Sequence, residues 1–273
     1  MQNGINFISG LPRSGSTLLA ALLRQNPRLH AGMTSPLAGM VGALLRQMSQ
    51  ENETSLFIDN EQRRRILHGV FTSFYADIHP HRVVFDTSRI WTAKMPLLAE
   101  LFPQCRVICC VRNPAWIIDS IEQLVQRNPL EPSRIFNYEP GGTVYSRTEG
   151  LSSGTGMAGV AWNALREAVF GQYAERLLLV RYETLTTDPL GTLASIYDFI
   201  GEPAVAHDPG SVRSSPAELE FDARLGAPGL HALSPSVRAV SRTTVLPPDL
   251  FERFSQDAFW DIPKRLPKSV RLI

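Results

Sequence analysis

The chain has 273 residues, with 27 lysine and arginine side chains against 26 aspartate and glutamate and a formal net charge of +1. Its 44% hydrophobic content supplies a full core and excludes a disordered chain, and its charge balance excludes the dense positive surface of a nucleic-acid binder. Cys105, Cys109 and Cys110 have no zinc-ligand spacing and no disulfide framework, so they read as buried hydrophobes in a reducing compartment. No basic stretch followed by an apolar one marks the first residues, and no run reaches the roughly 18 apolar residues of a membrane span. The expectation is a cytoplasmic chain with no transmembrane segment.

Ile5–Ser9 is a short apolar run that reads as the first strand, and Leu18–Gln25 is the helix behind it. Residues 37–78 are helical in character but polar in the middle, as for an insertion laid over a sheet. Arg82–Asp86 is the second core strand, followed by a helix over Thr92–Leu101 that Phe102-Pro103 breaks. Arg106–Val111 is the third strand, and the helix Trp116–Gln126 carries Ile117, Ile121, Leu124 and Val125 on one broad face. Residues 129–156 are rich in proline, glycine, serine and threonine and read either as a surface loop or as a lid. The helix Gly159–Glu175 leads into the strand Leu177–Arg181, and the helix Leu190–Ile200 ends at Gly201. Residues 207–236 show no long period and are expected to wrap or border a cleft, and a short helix is expected around Asp249–Phe254. Near-continuous apolar strands separated by helices predict one α/β domain over 1–273. It would be a three-layer sandwich around a central, mostly parallel sheet, with function gathered at the carboxyl ends of the strands. The three irregular regions, 37–78, 129–156 and 207–236, fall on the side left for a substrate.

The chemistry starts at Gly10-Leu11-Pro12-Arg13-Ser14-Gly15-Ser16-Thr17, between the first strand and the first helix. Strand, glycine-bounded loop and helix is the geometry that aims backbone N–H groups at a phosphate. The glycine spacing matches the phosphate loop of nucleoside-triphosphate enzymes, yet Ser16 stands where that loop has lysine and the cation appears at Arg13 instead. Arg13 suits bidentate contact with an oxyanion, and Ser16 and Thr17 add hydroxyl donors. A second anion element follows the third strand. Arg112 ends it, Asn113 and Pro114 open the next helix, and Ser120 lies eight residues beyond Arg112, about two helical turns.

With these motifs the chain resembles the sulfotransferases that use 3'-phosphoadenosine-5'-phosphosulfate (PAPS). Pro12-Arg13-Ser14-Gly15-Ser16-Thr17 is similar to their 5'-phosphosulfate loop, and Arg112-Asn113-Pro114 with Ser120 to their 3'-phosphate element. Arg181-Tyr182-Glu183-Thr184-Leu185 is similar to a third element and implies that Tyr182 contacts adenine. The likeness runs over roughly residues 5 to 200 and implies a P-loop-like sulfotransferase fold, PAPS as donor, adenosine 3',5'-bisphosphate (PAP) as product and no metal requirement. The arginine form of the loop is similar to the tyrosylprotein and bacterial carbohydrate-type branches. The implied donor-site residues are Arg13, Ser14, Gly15, Ser16, Thr17, Arg112, Ser120 and Tyr182.

The chain departs from the family where the catalytic base is concerned. The second strand ends Phe85-Asp86-Thr87-Ser88-Arg89, without the Lys-Thr-His of the cytosolic branch, and His30 to Pro36 holds no carboxylate like that of the tyrosylprotein branch. The C-terminal Arg-Lys-Gly element is missing too. Sulfuryl transfer needs charge stabilisation, which falls to Arg13 with help from Arg89, and removal of a proton from a hydroxyl acceptor. The base candidates are Asp86, favoured for its place at a strand end, and His30, His207 and His231. Trp91 and Trp162 are candidates for shaping an acceptor pocket. A small molecule, carbohydrate, lipid or peptide acceptor all fit, and the oligomeric state is left open, a homo-oligomer included. An ATP-dependent phosphotransferase is the rival enzyme; it needs a magnesium carboxylate, for which Asp86 is the candidate. A nucleotide-binding interaction module without catalysis is the rival of another class.

Overall fold

The structure is a computed structural model in which residues 4–79, 81–130, 142–241, 243–262 and 264–273 are described. In chain order the elements begin β1 (Ile5–Gly10), α1 (Ser16–Leu23), β2 (Leu29–Ala31), α2 (Leu37–Gln47), α3 (Asn60–Phe74), β3 (Val83–Thr87) and α4 (Met95–Leu101). They continue β4 (Val107–Val111), α5 (Pro114–Arg127), α6 (Val144–Ser152), α7 (Met157–Phe170), β5 (Leu177–Arg181), α8 (Tyr182–Thr187) and α9 (Pro189–Ile200). The chain closes with α10 (Pro216–Arg224), α11 (Pro248–Ser255) and β6 (Arg271–Leu272). Among the described residues the strands form one parallel sheet in the order β2-β3-β1-β4-β5-β6.

The sheet is hydrophobic on both faces because helices cover both. Phe7, Val84, Val107, Cys109, Leu177 and Leu179 face one layer, packed by α2, α3, α4, α5 and α7. Ile8, Phe85, Ile108, Cys110, Leu178 and Val180 face the other, packed by α1 and α9. The alternation is the two-residue period of a strand, and burial on both sides explains the unbroken apolar runs. All three cysteines are free and buried; burial pushes the Cys105 thiol up to about 11 and the Cys110 thiol to about 12. The α/β three-layer reading therefore holds, with two additions. The edge strands β2 and β6, of three and two residues, are too short to carry a period in sequence.

The three irregular regions differ from one another. Residues 37–78 become α2 and α3, whose Leu37, Val41, Leu67 and Phe71 cover the sheet. Within 129–156, residues 131–141 lie outside the described residues. The described remainder packs onto the fold: α6 buries Thr148 and Leu151, and Arg147 pairs with buried Glu122 at 2.5 Å. A Cβ on Gly156 or Gly159 would fall 2.0 Å from the carbonyl of Gly150 or Ser153, so these glycines serve close packing at the α6–α7 corner. Residues 207–236 contain a regular helix, α10, opened by a capping box between Ser215 and Glu218. Gln25, just past α1, donates from Nε2 to the carbonyls of Asp208 and Ser211, and Arg24 pairs with Glu218 at 2.6 Å. The segment is thus tied to the end of α1. The tail helix α11, with Leu246 just before it, packs on α5 through Leu250 and Phe254 against Ala115 and Ile118.

β1 sits at the centre, with β3 on one side and β4 on the other. That is the position at which an open parallel sheet leaves a crevice beyond its carboxyl edge, and the loop 10–17 stands there.

Candidate active site

The loop is built from backbone constraints. Gly10 has φ +143, and a Cβ there would lie 2.4 Å from the Cys110 carbonyl oxygen, so only glycine fits against β4. That carbonyl accepts from Leu11 N at 3.0 Å and from Ser14 Oγ at 2.8 Å, and Ser14 Oγ also donates to Leu11 O. The Ser14 hydroxyl, predicted to touch the donor, is turned inward and fully buried. What Ser14 can offer a ligand is its backbone. Gly15, φ +98, caps α1 without a side chain, leaving the first amides of that helix open beside Ser16 and Thr17. Arg13 holds φ 58, a left-handed conformation that an L-residue with a long side chain rarely adopts. Strain of this kind gathers at functional loops.

The second anion element meets the first. Asn113 caps α5 by accepting from Ala115 N at 3.0 Å, with Pro114 in the first turn, and this fixes Arg112 at the end of β4. Arg112 Nη1 donates to the Arg13 carbonyl at 3.4 Å, and Arg13 Nε donates to Ser120 Oγ at 3.1 Å. Ser120 is buried behind Arg13 and reaches the cleft through that guanidinium. The Arg112 guanidinium lies over the Tyr182 ring, 4.1 Å from its centroid, with Glu183 at 4.0 Å. A Cβ on Gly15 would come within 3.0 Å of Tyr182 Cδ2. Tyr182 is therefore packed between the phosphate loop and Arg112.

These groups open on a cleft of about 440 Å³. Arg13, Arg89, Arg112 and Arg238 line it, and among the described residues none of those lining it is a carboxylate. Arg89, at the mouth of β3, has its pKa lowered by the protein crowding round it. Part of its wall is apolar, formed by Met33, Met157, Phe221, Leu225 and Leu230. Residues between 221 and 240 supply much of this wall.

Asp86 requires a correction. It is fully buried on the α3 face of β3 and does not line the cleft. Its Oδ2 accepts from the Tyr75 hydroxyl and its Oδ1 from Trp91 Nε1, both at 2.6 Å. Burial pushes its pKa up, against the pull of hydrogen bonds from Ser35, Tyr75 and Trp91. With both oxygens held by core partners, it neither takes a proton from an acceptor nor orients Arg89, and it offers nothing to magnesium at the loop. Trp91, fully buried against Phe7 and Phe71, is core as well. Trp162 instead borders a separate hollow of about 210 Å³ that shares Leu11 and Pro12 with the cleft.

Of the three candidate histidines, the structure brings one to the cleft. His30 is on β2 against the Tyr75 ring, its pKa lowered by burial and by Arg82 and Arg24. His207 Nε2 is paired with the Tyr197 hydroxyl at 2.9 Å. His231 lines the cleft, half-buried, with Nδ1 at 2.5 Å from Asp222 Oδ1. Sequence reasoning missed Arg238, Asp222 and Met33. Asp222 was within reach of it: Ser215-Pro216-Ala217-Glu218 spells a helix start, and Asp222 falls one turn beyond Glu218.

The fold is a parallel α/β sheet with an arginine-bearing, glycine-bounded loop at the carboxyl end of its central strand. The model of the sulfotransferase family matches residues 6–206, and the chain belongs to that family. It is 23% identical over 247 residues to protein-tyrosine sulfotransferase 2 of Gallus gallus, covering 84% of this chain. The chain spans 62% of that relative's length. Two solved structures share the fold. The sulfotransferase domain of the Synechococcus PCC 7002 olefin synthase has a TM-score of 0.50 at 19% identity, with 95% of each chain covered. The sulfotransferase domain from the curacin biosynthetic pathway has a TM-score of 0.51 at 18% identity, covering 98% of this chain and 95% of the other.

Proposed function

We propose that this chain transfers a sulfuryl group from PAPS to a hydroxyl or amine of an acceptor. The observation that carries the reading is the cleft at the carboxyl edge of β1, lined by Arg13, Arg89, Arg112 and Arg238 with no carboxylate among its described lining residues. A donor with a 5'-phosphosulfate and a 3'-phosphate has two separated anionic groups. Arg13, the Gly15–Thr17 amides and the Ser16 and Thr17 hydroxyls suit the first; Arg112 and Arg238, which line the same cleft, suit the second. Tyr182, beneath Arg112, borders the adenine end. The apolar wall of Met33, Met157, Leu225 and Leu230 suits an acceptor with an apolar body and one nucleophilic group. An ATP-dependent reading lacks both its lysine, since Ser16 stands there, and its metal carboxylate, since Asp86 is enclosed.

The test is calorimetry with PAP and with 5'-AMP, without divalent metal. The 3'-phosphate adds charge-assisted hydrogen bonds, each worth about 1.5–3 kcal/mol, so PAP should bind at least ~10-fold more tightly. Equal affinity for the two nucleotides overturns the donor assignment.

A further inference from the structure

We propose that His231 and Asp222 form a dyad that takes the acceptor's proton, and that donor binding in the same cleft switches the dyad on. The proposal rests on the sulfuryl-transfer reading above and adds the residues that complete it.

The geometry comes first. Asp222 is on α10, buried to 1% exposure, and its two oxygens serve one residue. Oδ1 lies 2.5 Å from His231 Nδ1, and Oδ2 accepts from the His231 backbone N–H at 2.7 Å. A carboxylate at Nδ1 fixes the tautomer: Nδ1 carries the proton and Nε2 carries the lone pair. Nε2 has no hydrogen-bond partner among the described residues, and the imidazole lines the cleft with Arg13 and Arg89. The Phe221 ring lies 5.9 Å from the imidazole, tilted 59° to it. No other histidine of the described residues lines this cleft.

The charges that reach the imidazole come from every side of the site. Burial lowers its pKa, Asp222 raises it, and Arg13 from the loop and Arg89 from the end of β3 lower it again, for a net fall below the ordinary histidine value. Arg112 and Arg238 line the same cleft. The imidazole is thus neutral and able to accept a proton near pH 7. An anionic donor neutralises the arginines and raises its proton affinity at the moment a proton must be taken. In the transfer step, His231 Nε2 takes the acceptor O–H proton as the acceptor oxygen bonds to sulfur. The sulfur–oxygen bond to the 5'-phosphate breaks and its electron pair leaves on that phosphate oxygen. Asp222 stabilises the resulting imidazolium through Nδ1–H.

A purely structural role, in which the pair only pins residues 225–231 to α10, makes a different prediction. The experiment is nitrogen-15 NMR of histidine-labelled full-length protein, titrated with pH alone and with saturating PAP, His231 assigned by its loss in His231→Gln. The expected result is an Nδ1–H tautomer in the free protein and a titration midpoint that moves up by at least roughly half a pH unit with PAP. Asp222→Asn should lower the midpoint in both states, since it removes the charge that raises it. With PAPS and 2-naphthol as acceptor, His231→Gln should lose at least ~10²-fold in rate while binding PAP within about twofold of wild type. If wild type does not bind PAP, the donor reading fails and the dyad's role with it. If PAP binds and the His231 titration does not move, the donor reading stands and the dyad proposal is overturned. Full transfer to 2-naphthol by a folded His231→Gln protein overturns it as well.

Discussion

Arg13 stores backbone strain where the proposed chemistry needs a cation, and two substitutions separate the strain from the charge. A left-handed conformation costs a non-glycine residue about 1–2 kcal/mol. Arg13, at φ 58, bears this cost, and so would alanine. Glycine removes it but gives back about 0.4–1 kcal/mol through its freer unfolded chain. Both variants lose the Arg13–Ser120 hydrogen bond, a net of about 0.5–1.5 kcal/mol. Arg13→Ala should therefore be about 1 kcal/mol less stable than wild type, and Arg13→Gly should fall within about 1 kcal/mol of wild type and above alanine. For a chain of this size that ordering is ~2–4 °C in Tm per kcal/mol, within reach of calorimetric melting. Transfer from PAPS should fall at least ~10²-fold in both, because neither can stabilise charge on the sulfuryl oxygens or the leaving phosphate. Arg13→Ala melting at or above Arg13→Gly would refute the strain argument. Wild-type transfer by either variant would refute the catalytic one.

Asp86→Asn tests the correction at β3. The amide can still accept from Trp91 Nε1 while the Tyr75 hydroxyl turns to accept from it, so a cost of about 1–2 kcal/mol is expected, with PAP affinity and transfer unchanged. A large loss of transfer in a folded variant would restore Asp86 as the base. The pH dependence has a definite sign. Burial raises the folded-state pKa of Asp86 above its unfolded value, so its contribution is complete below the unfolded value and is lost as pH rises through the folded one. The stability gap between wild type and Asp86→Asn should narrow over that window; a widening gap would contradict it. At Tyr182, phenylalanine keeps the ring under Arg112 and leucine removes it. The cation–π contact is worth about 0.5–2 kcal/mol, so Tyr182→Leu should weaken PAP binding roughly two- to thirty-fold and Tyr182→Phe much less. Equal loss in the two variants would place the hydroxyl, not the ring face, in the contact.

The central strands were legible because a strand covered on both faces has no polar interruptions to blur it: Val107–Val111 and Leu177–Arg181 lie within a residue of their expected bounds. The phosphate loop was legible because its glycines answer to backbone constraints, Gly10 against the Cys110 carbonyl and Gly15 against Tyr182, that no other residue type meets. Asp86 misled because position along a strand gives its end but not its face. In β3 it shares a face with Val84, under α3, and its partners Tyr75 and Trp91 come from elements on either side in sequence. Ser14 misled in the same way, since a hydroxyl in a phosphate loop can turn to either side. Residues 207–236 were opaque to hydrophobic periodicity because α10 buries the polar Glu218 and Asp222 rather than an apolar stripe. Only its capping box spoke for it.

The near-neutral composition concealed the cleft for an electrostatic reason. Buried acidic residues outside its wall are held by other partners: Glu218 by Arg24, Glu122 by Arg147, and Asp119 by Thr244 and the Val245 amide. Asp222 reaches the cleft only through His231. The arginines that remain on the wall focus a positive field inside a concave surface while the chain as a whole carries a formal charge of +1. Such a field decays over a Debye length of about 8–10 Å, so it acts on a molecule already at the mouth rather than drawing a polymer along the surface. That is the electrostatics of a site for a small polyanion, and it explains why the exclusion of nucleic acid from overall charge and the assignment of an anionic donor from one loop are compatible.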